Sequence, residues 1–219
     1  MDANPQEIAA VRTANLLIAG MTSAVLVGLS LVFAAPGSTY RWSFLLLLPL
    51  VWAVYFWRGR LALLPAHFAA FAVAVIIHDL GTFGFYKKIF FGLRFDCYVH
   101  FMFGFVSGLI LFHAAGEKLP LSRKFLAFTV PIFILGIGGL HEMFECFTTI
   151  LLGPERGMLK LHADQPFDTQ KDLMNNSLGA IVAVLVSLRQ SRAPTGEQSA
   201  HSDEFAAGLG KKHFGESGD

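Results

Sequence analysis

The sequence predicts an all-α membrane protein with about six transmembrane helices in one bundle. Of its 219 residues, 54% are hydrophobic and only 15% are charged, and the mean hydropathy is +0.54. Soluble domains carry about 25% charged residues, so this chain has too few charged side chains to cover a surface that faces water. The other two observations are a series of long uncharged stretches and the positions of the few ionisable residues among them. This composition excludes a soluble enzyme.

The uncharged stretches predict the membrane spans. A bilayer core of about 30 Å requires about 20 helical residues, because each residue adds about 1.5 Å. Six stretches approach this length, and they cover residues 14–35, 42–57, 61–78, 96–116, 125–152 and 172–188. The first is too long for a signal-peptide core and is interpreted as a retained anchor. The second is short and contains Pro49, whereas the fifth exceeds one crossing and implies a tilted, broken or protruding helix.

The basic residues predict the orientation. With six crossings, ten of the 17 Lys and Arg residues fall on the side of the two termini. Because basic residues near span ends favour the cytoplasm, both termini are predicted to be cytoplasmic. Residues 1–189 are thus predicted to form the six-helix transmembrane domain. Residues 190–219 are polar with little apolar periodicity, which predicts a disordered tail.

Charge and cysteine content exclude several further classes. A formal net charge of +1 argues against a nucleic-acid-binding domain, which needs a concentrated basic face. Two cysteines make neither a disulfide framework nor a cysteine-based zinc module. Free thiols are favoured at Cys97 and Cys146, with a disulfide between them as the alternative. We find no internal repeat of the kind that many transporters carry, which weakens a transporter interpretation without removing it.

Ionisable residues are concentrated at the outer ends of spans three to six. A carboxylate in the middle of a bilayer costs roughly 2.5 to 3.5 kcal/mol, so such residues are functional candidates. They are His78, Asp79, Asp96, His100, His141, Glu142, Glu145, Asp168 and Asp172. Residues three or four apart share a helix face, so spans four, five and six each present a polar stripe at this level. Gly104 and Gly108 continue the stripe of span four and are expected to let a neighbouring helix approach closely.

This set of side chains predicts a metal site. A divalent cation would compensate the crowded carboxylates, and mixed oxygen and nitrogen donors favour zinc, manganese or iron over calcium. The segment from His141 to Glu145 has Glu where the HExxH motif requires its second His, so no standard zinc-protease motif is present. Glu142 and His141 are the candidate proton-transfer groups. The predicted metal ligands are Asp96, His100, Glu145, Asp168 and Asp172.

Structural roles are the alternatives for the same residues. Asp96, Asp168 and Asp172 could each cap a helix N-terminus, a common role for Asp. Glu142 and Glu145 could pair with Lys or Arg.

Four histidine and aspartate positions outside the predicted ligand set have simpler interpretations. His78 and Asp79 are equally well explained as the interfacial end of span three. His67 and His113 fall toward the cytoplasmic side and are predicted to be packing histidines. The aromatic segment 83–92 is interpreted as interfacial, with a lipid entry as the alternative.

Three stretches resemble the YjdF-type family of bacterial inner-membrane proteins. They are FDCYVHF at 95–101, HEMFE at 141–145 and DTQKD at 168–172, the last followed by Asn176 and Leu-Gly-Ala at 178–180. The resemblance covers about residues 76–186 and implies a six-helix fold, a shared polar site and a location in the bacterial inner membrane. Cys146 stands where that family often has Trp. The resemblance names no reaction, and residues 96–100 alone are also similar to VanZ-like membrane proteins.

The predicted function is that of an inner-membrane protein with an outward-facing, metal-dependent site that acts on a lipid or cell-envelope substrate. The expected partners are membrane lipids, and no nucleic acid is expected. One alternative is a carrier for a cation or small solute that uses the same carboxylates. Another is a non-catalytic envelope assembly protein. A carrier should have polar residues along its spans as far as the cytoplasmic side. On that side, His67 and His113 are the only polar candidates that the spans offer.

Overall fold

The computed structural model describes residues 4–33, 44–153 and 167–190. Within these residues it has six α-helices, a 3₁₀ helix at Phe85–Lys87 and a two-stranded antiparallel hairpin. In chain order the elements are α1 Pro5–Phe33, α2 Phe44–Phe56, α3 Pro65–Thr82, β1 Ile89–Phe90, β2 Leu93–Arg94, α4 Phe95–Lys118, α5 Arg123–Leu152 and α6 Asp168–Gln190. The predicted all-α polytopic membrane fold is confirmed, whereas nearly all of the predicted tail lies outside the described residues.

Four of the described helices, α1, α3, α4 and α5, are long and apolar enough to cross a membrane. The apolar helix α2 is shorter, as predicted for span two. Helix α6 is polar over its first turns. Further along, exposed apolar side chains recur every three or four residues, at Met174, Leu178, Ile181 and Leu185. Because they form one stripe, α6 has a face suited to lipid and turns its polar side inward.

Several helix boundaries differ from those of the apolar stretches. Helix α1 starts at Pro5 and α6 at Asp168, both before the predicted spans, because a charged residue ends an apolar stretch without ending a helix. Helix α3 starts at Pro65, which occupies a first-turn position where proline is favoured. Helix α5 continues through Pro131 for 30 residues, about 45 Å, so tilt or protrusion accommodates its length.

Two groups of helices make up the bundle. Helix α1 packs on α2 and α3, while α6 packs most extensively on α4 and also contacts α5, and the contact between α3 and α4 joins the groups. Helices α1 and α3 run parallel, because Asn15 donates a hydrogen bond to the Leu63 carbonyl oxygen at one end (3.2 Å) and the Phe33 and Phe83 rings meet at the other (6.4 Å).

The buried side chains change from apolar to polar along the second group. On α5, Leu126, Val130 and Ile134 are buried in an apolar core, and Glu142 is buried further along the same face. On α6, Ala180 and Val184 belong to that core, whereas the buried residues nearer the start of the helix are Asp172 and Asn176. We call the end at which α3 and α5 finish and α4 and α6 begin the polar end of the bundle.

Candidate functional site

Three side chains converge at the polar end. His100 Nε2 lies 3.5 Å from Asp96 Oδ1 and 3.6 Å from Asp172 Oδ1. One donor atom from each of the three residues lies within 4.8 Å of the other two. His100 and Asp172 are 9% and 5% exposed, and Asp96 is half-buried. We call these residues the three-residue cluster; it joins two neighbouring positions on α4 to one on α6.

Two glycines bring α4 and α6 close enough to form the cluster. Gly104 lies one turn after His100, and a Cβ there would collide with the backbone carbonyl of Asn176. Gly179 is its counterpart on α6, because a Cβ there would collide with the backbone of Phe101. The helices are therefore in backbone contact just beyond the cluster, as the spacing of the small residues predicted.

Helix α5 lies along one side of the site. His141 Nε2 lies 3.2 Å from Glu145 Oε1, and the His141 ring centroid is 6.3 Å from that of His100. Glu142 is only 7% exposed, and its buried Oε1 has no hydrogen-bond partner among the described residues. The Glu142 carboxylate interacts with Thr169, and its Oε1 is left as an open, costly hydrogen-bond acceptor among the described residues.

His78 and Tyr86 lie on the other side of the site. The Tyr86 hydroxyl is 2.9 Å from His78 Nδ1, and Tyr86 interacts electrostatically with Asp96 and Asp172. Burial, reinforced by the Asp96 carboxylate, raises the pKa of Tyr86 above its usual value. Its hydroxyl therefore keeps its proton at neutral pH and is available as a hydrogen-bond donor.

Tyr86 belongs to the site, although no sequence pattern predicted it. It lies in an aromatic loop, where a tyrosine is indistinguishable from its apolar neighbours by pattern alone. The one available signal is Gly81, because the Tyr86 ring occupies the space that a side chain at Gly81 would fill. His78, for which an interfacial helix end was an equal alternative, contacts Tyr86 and faces the site.

The predicted metal ligands divide into two groups in the structure. Asp96, His100 and Asp172 form the three-residue cluster. Glu145 instead pairs with His141, and Asp168 lies one turn before Asp172 in α6. Both remain close enough to interact electrostatically with Asp96.

The structural alternatives were helix capping by the aspartates and pairing of the glutamates with Lys or Arg. The N-cap of α4 is Arg94, and α6 begins at Asp168, so neither Asp96 nor Asp172 occupies a cap position. Among the described residues, Glu145 pairs with His141 and with no Lys or Arg.

The remaining sequence candidates lie outside the cluster. Asp79 is fully buried on the face of α3 that also carries Phe68 and Val75. Cys97 and Cys146 are free thiols, as favoured from the sequence.

His67 and His113 form a separate contact between α3 and α4. Their ring centroids are 4.9 Å apart. His113 follows His100 by 13 positions on α4, about 20 Å along the helix axis, and the apolar residues Val106 and Ile110 are buried between them. The pair is therefore not part of the candidate site.

Comparison with known proteins identifies the family of this chain. The model of a family of predicted membrane proteins, DUF2238, matches residues 15–193, which include the cluster and the greater part of all six helices. No curated protein and no solved structure matches the chain. The expectation of an uncharacterised membrane-protein family is confirmed, while the YjdF-type name stays a prediction. The chain is therefore a multi-pass membrane protein that belongs to the DUF2238 family of predicted membrane proteins.

Proposed function

We propose that this protein binds one divalent cation at Asp96, His100 and Asp172 and uses it to hydrolyse a lipid or cell-envelope substrate. The observation that carries the proposal is the convergence of three donor atoms within 4.8 Å at a largely buried position. Isolated carboxylates at such a position are costly, and a cation offsets that cost.

The spacing of the donor atoms supports a small cation. Zinc binds nitrogen and oxygen donors at about 2.0 to 2.2 Å, which places two tetrahedral ligands about 3.3 to 3.6 Å apart. The distances from His100 Nε2 to the two aspartate oxygens are 3.5 and 3.6 Å. One imidazole and two carboxylates suit zinc, manganese or iron, whereas calcium prefers oxygen donors alone.

The number of candidate ligands among the described residues supports a catalytic rather than a structural ion. Structural zinc sites use four protein ligands, whereas catalytic sites use three and leave one position open. A cation at such a position would lower the pKa of bound water and supply a hydrolytic nucleophile. Glu142 and His141 would be the candidate groups to accept a proton from that water, and Glu142 is favoured because its Oε1 has no hydrogen-bond partner among the described residues.

Elemental analysis of the purified protein tests the proposal. We expect about one divalent ion per chain in the parent protein and a loss of that ion in His100→Ala, because the imidazole is the donor shared by both short contacts. His113→Ala is the matched control, since it removes an imidazole from the same helix outside the cluster. A parent without bound metal, or a His100→Ala variant that retains it, would contradict the proposal.

We also propose that the protein lies in the bacterial inner membrane with both termini in the cytoplasm. The excess of basic residues on the side of the termini supports this orientation. In a Cys97→Ala/Cys146→Ala background, a cysteine at Lys88 should react with a membrane-impermeant maleimide in intact cells, whereas one at Glu117 should react only after permeabilisation. The opposite labelling pattern would reverse the orientation and place the site on the cytoplasmic side.

A cation carrier is the second candidate function. The observation in its favour is His67 Nδ1, which is buried and has no hydrogen-bond partner in the described part of the chain, on the side of the bundle opposite the cluster. Buried Val106 and Ile110 between the two sites count against a continuous polar path. Uptake of zinc or manganese into proteoliposomes distinguishes the functions, because an enzyme of this kind should produce no flux above that of His100→Ala.

A further inference from the structure

We propose that the hairpin of residues 89–94 inserts into the lipid headgroup layer at the polar end of the bundle, where Lys87 and Lys88 bind the phosphates of anionic lipids. The proposal does not depend on metal binding or hydrolysis. It concerns the surface of the protein beside the cluster.

The hairpin presents apolar side chains that the rest of the described protein does not cover. Phe91 is fully exposed, and Ile89 and Leu93 are 68% and 52% exposed. Burying side chains of this size stabilises a protein by about 1.5 to 3 kcal/mol each, so leaving all three in water is unfavourable. Their exposure indicates a surface that meets an apolar phase.

The conformation of the turn gives an independent indication. Phe90 pairs with Leu93, so Phe91 and Gly92 form a two-residue turn, with φ values of 49° and 79°. Such turns favour Asn-Gly, because both central residues adopt positive φ, and a bulky residue at the first position is strained by about 1 to 3 kcal/mol. Phe91 projects from the tip of the hairpin, and its full exposure suits a side chain that enters a membrane.

The hairpin is held firmly against the start of α4. The Tyr98 hydroxyl donates a hydrogen bond to the Phe90 carbonyl oxygen (2.6 Å), and the Phe95 backbone N–H donates one to the Lys88 carbonyl oxygen (2.9 Å). The rings of Phe90 and Phe95 are also in contact, with centroids 6.0 Å apart. Phe91 precedes Phe95 by four residues, so its backbone lies within about 14 Å of the start of α4.

The charges around the hairpin identify the occupant as a lipid surface. The basic side chains of Lys87 and Lys88 precede the hairpin, whereas Arg94 at its end interacts with Asp96 on α4. Apolar and aromatic side chains flanked by lysines are typical of segments that lie in the membrane interface, with the amines reaching the phosphates. The bilayer is also the one apolar phase that the adjoining helices already enter.

Spin labels report the depth of the hairpin in nanodiscs of phosphatidylcholine with and without phosphatidylglycerol. The labels are placed one at a time at Phe91→Cys, Phe128→Cys and Glu117→Cys in a Cys97→Ala/Cys146→Ala background. Phe128 is an apolar exposed reference on α5, and Glu117 is a polar exposed reference near the other end of α4. We expect the label at 91 to have oxygen and nickel accessibilities between those at 128 and at 117, because the headgroup layer is more hydrated than the hydrocarbon core and less hydrated than bulk water.

The two lysines are tested in the same measurement. Phosphatidylglycerol should increase the protection of the label at 91, and Lys87→Gln/Lys88→Gln should abolish this increase while leaving the label at 128 unchanged. A label at 91 that the nickel complex reaches as readily as at 117 would overturn insertion. Spin–spin broadening at 91 that disappears on dilution with unlabelled protein would assign the surface to a second copy instead. The absence of any phosphatidylglycerol effect would remove the assigned role of the lysines.

Discussion

Replacing Asp172 with Asn is expected to make the metal-free protein more stable and to abolish its stabilisation by metal. One donor atom of Asp172 and one of Asp96 lie within 4.8 Å of each other, so replacing one buried carboxylate with a neutral amide removes the cost of ionising two neighbouring carboxyl groups. The parent should gain about 2.7 kcal/mol in unfolding free energy at a metal concentration 100 times its Kd, whereas the variant should gain little. Thermal unfolding in detergent with and without zinc or manganese measures both effects.

Asp168→Asn is the matched control for this experiment. It makes the same chemical change one turn earlier on the same helix, outside the three-residue cluster. We expect Asp168→Asn to keep the response to metal. If Asp172→Asn instead lowers the stability of the metal-free protein and metal stabilises neither parent nor variant, the cluster is a structural ion network around His100. An equal loss of response in Asp168→Asn would add Asp168 to the ligand set, as the sequence predicted for this residue.

Helix number and approximate position could be predicted because a bilayer imposes a minimum apolar length. The helix starts were less predictable, because residues such as Asp168 end an apolar stretch and still continue a helix when their side chains face other helices. The hairpin at 89–94 was not predicted either. Its strands are two residues each, too short to show the alternation that identifies a strand, and its turn contains Phe where Asn is usual.

The depth of the site in the membrane could be predicted from the sequence. The contacts between its side chains were less predictable. Helical spacing places Asp96 and His100 on one face, which the structure retains in their 3.5 Å contact. Spacing also places His141 and Glu145 on one face, and these two residues satisfy each other instead of joining the cluster. Which helix packs against each polar face depends on contacts between segments that are far apart in the sequence. Periodicity within one segment therefore could not predict that Tyr86 contributes to the site.

Gly179→Ala is expected to have a large effect on stability. A Cβ at Gly179 would overlap the backbone of Phe101 on α4, and backbone atoms cannot move aside as the end of a flexible side chain can. Overpacking commonly costs about 1 to 3 kcal/mol, and we expect a loss of about 3 kcal/mol here. Because the helices must separate near the cluster, metal affinity should fall as well. Gly136→Ala on α5 is the control, since its added Cβ meets no other atom within 4 Å among the described residues.

Gly108→Ala tests the same contact between α4 and α6 with a smaller expected loss of stability, which a second substitution should partly reverse. Its Cβ would lie 2.9 Å from the Ala183 Cβ, a contact between side chains one turn further from the cluster than Gly104. We therefore expect a loss of unfolding free energy between those of Gly136→Ala and Gly179→Ala. Adding Ala183→Gly removes the opposing methyl group and should restore part of the lost stability, whereas Ala183→Gly alone should destabilise the protein. If the two changes are simply additive, or if Gly179→Ala is as stable as Gly136→Ala, then close contact between α4 and α6 does not position His100 against Asp172.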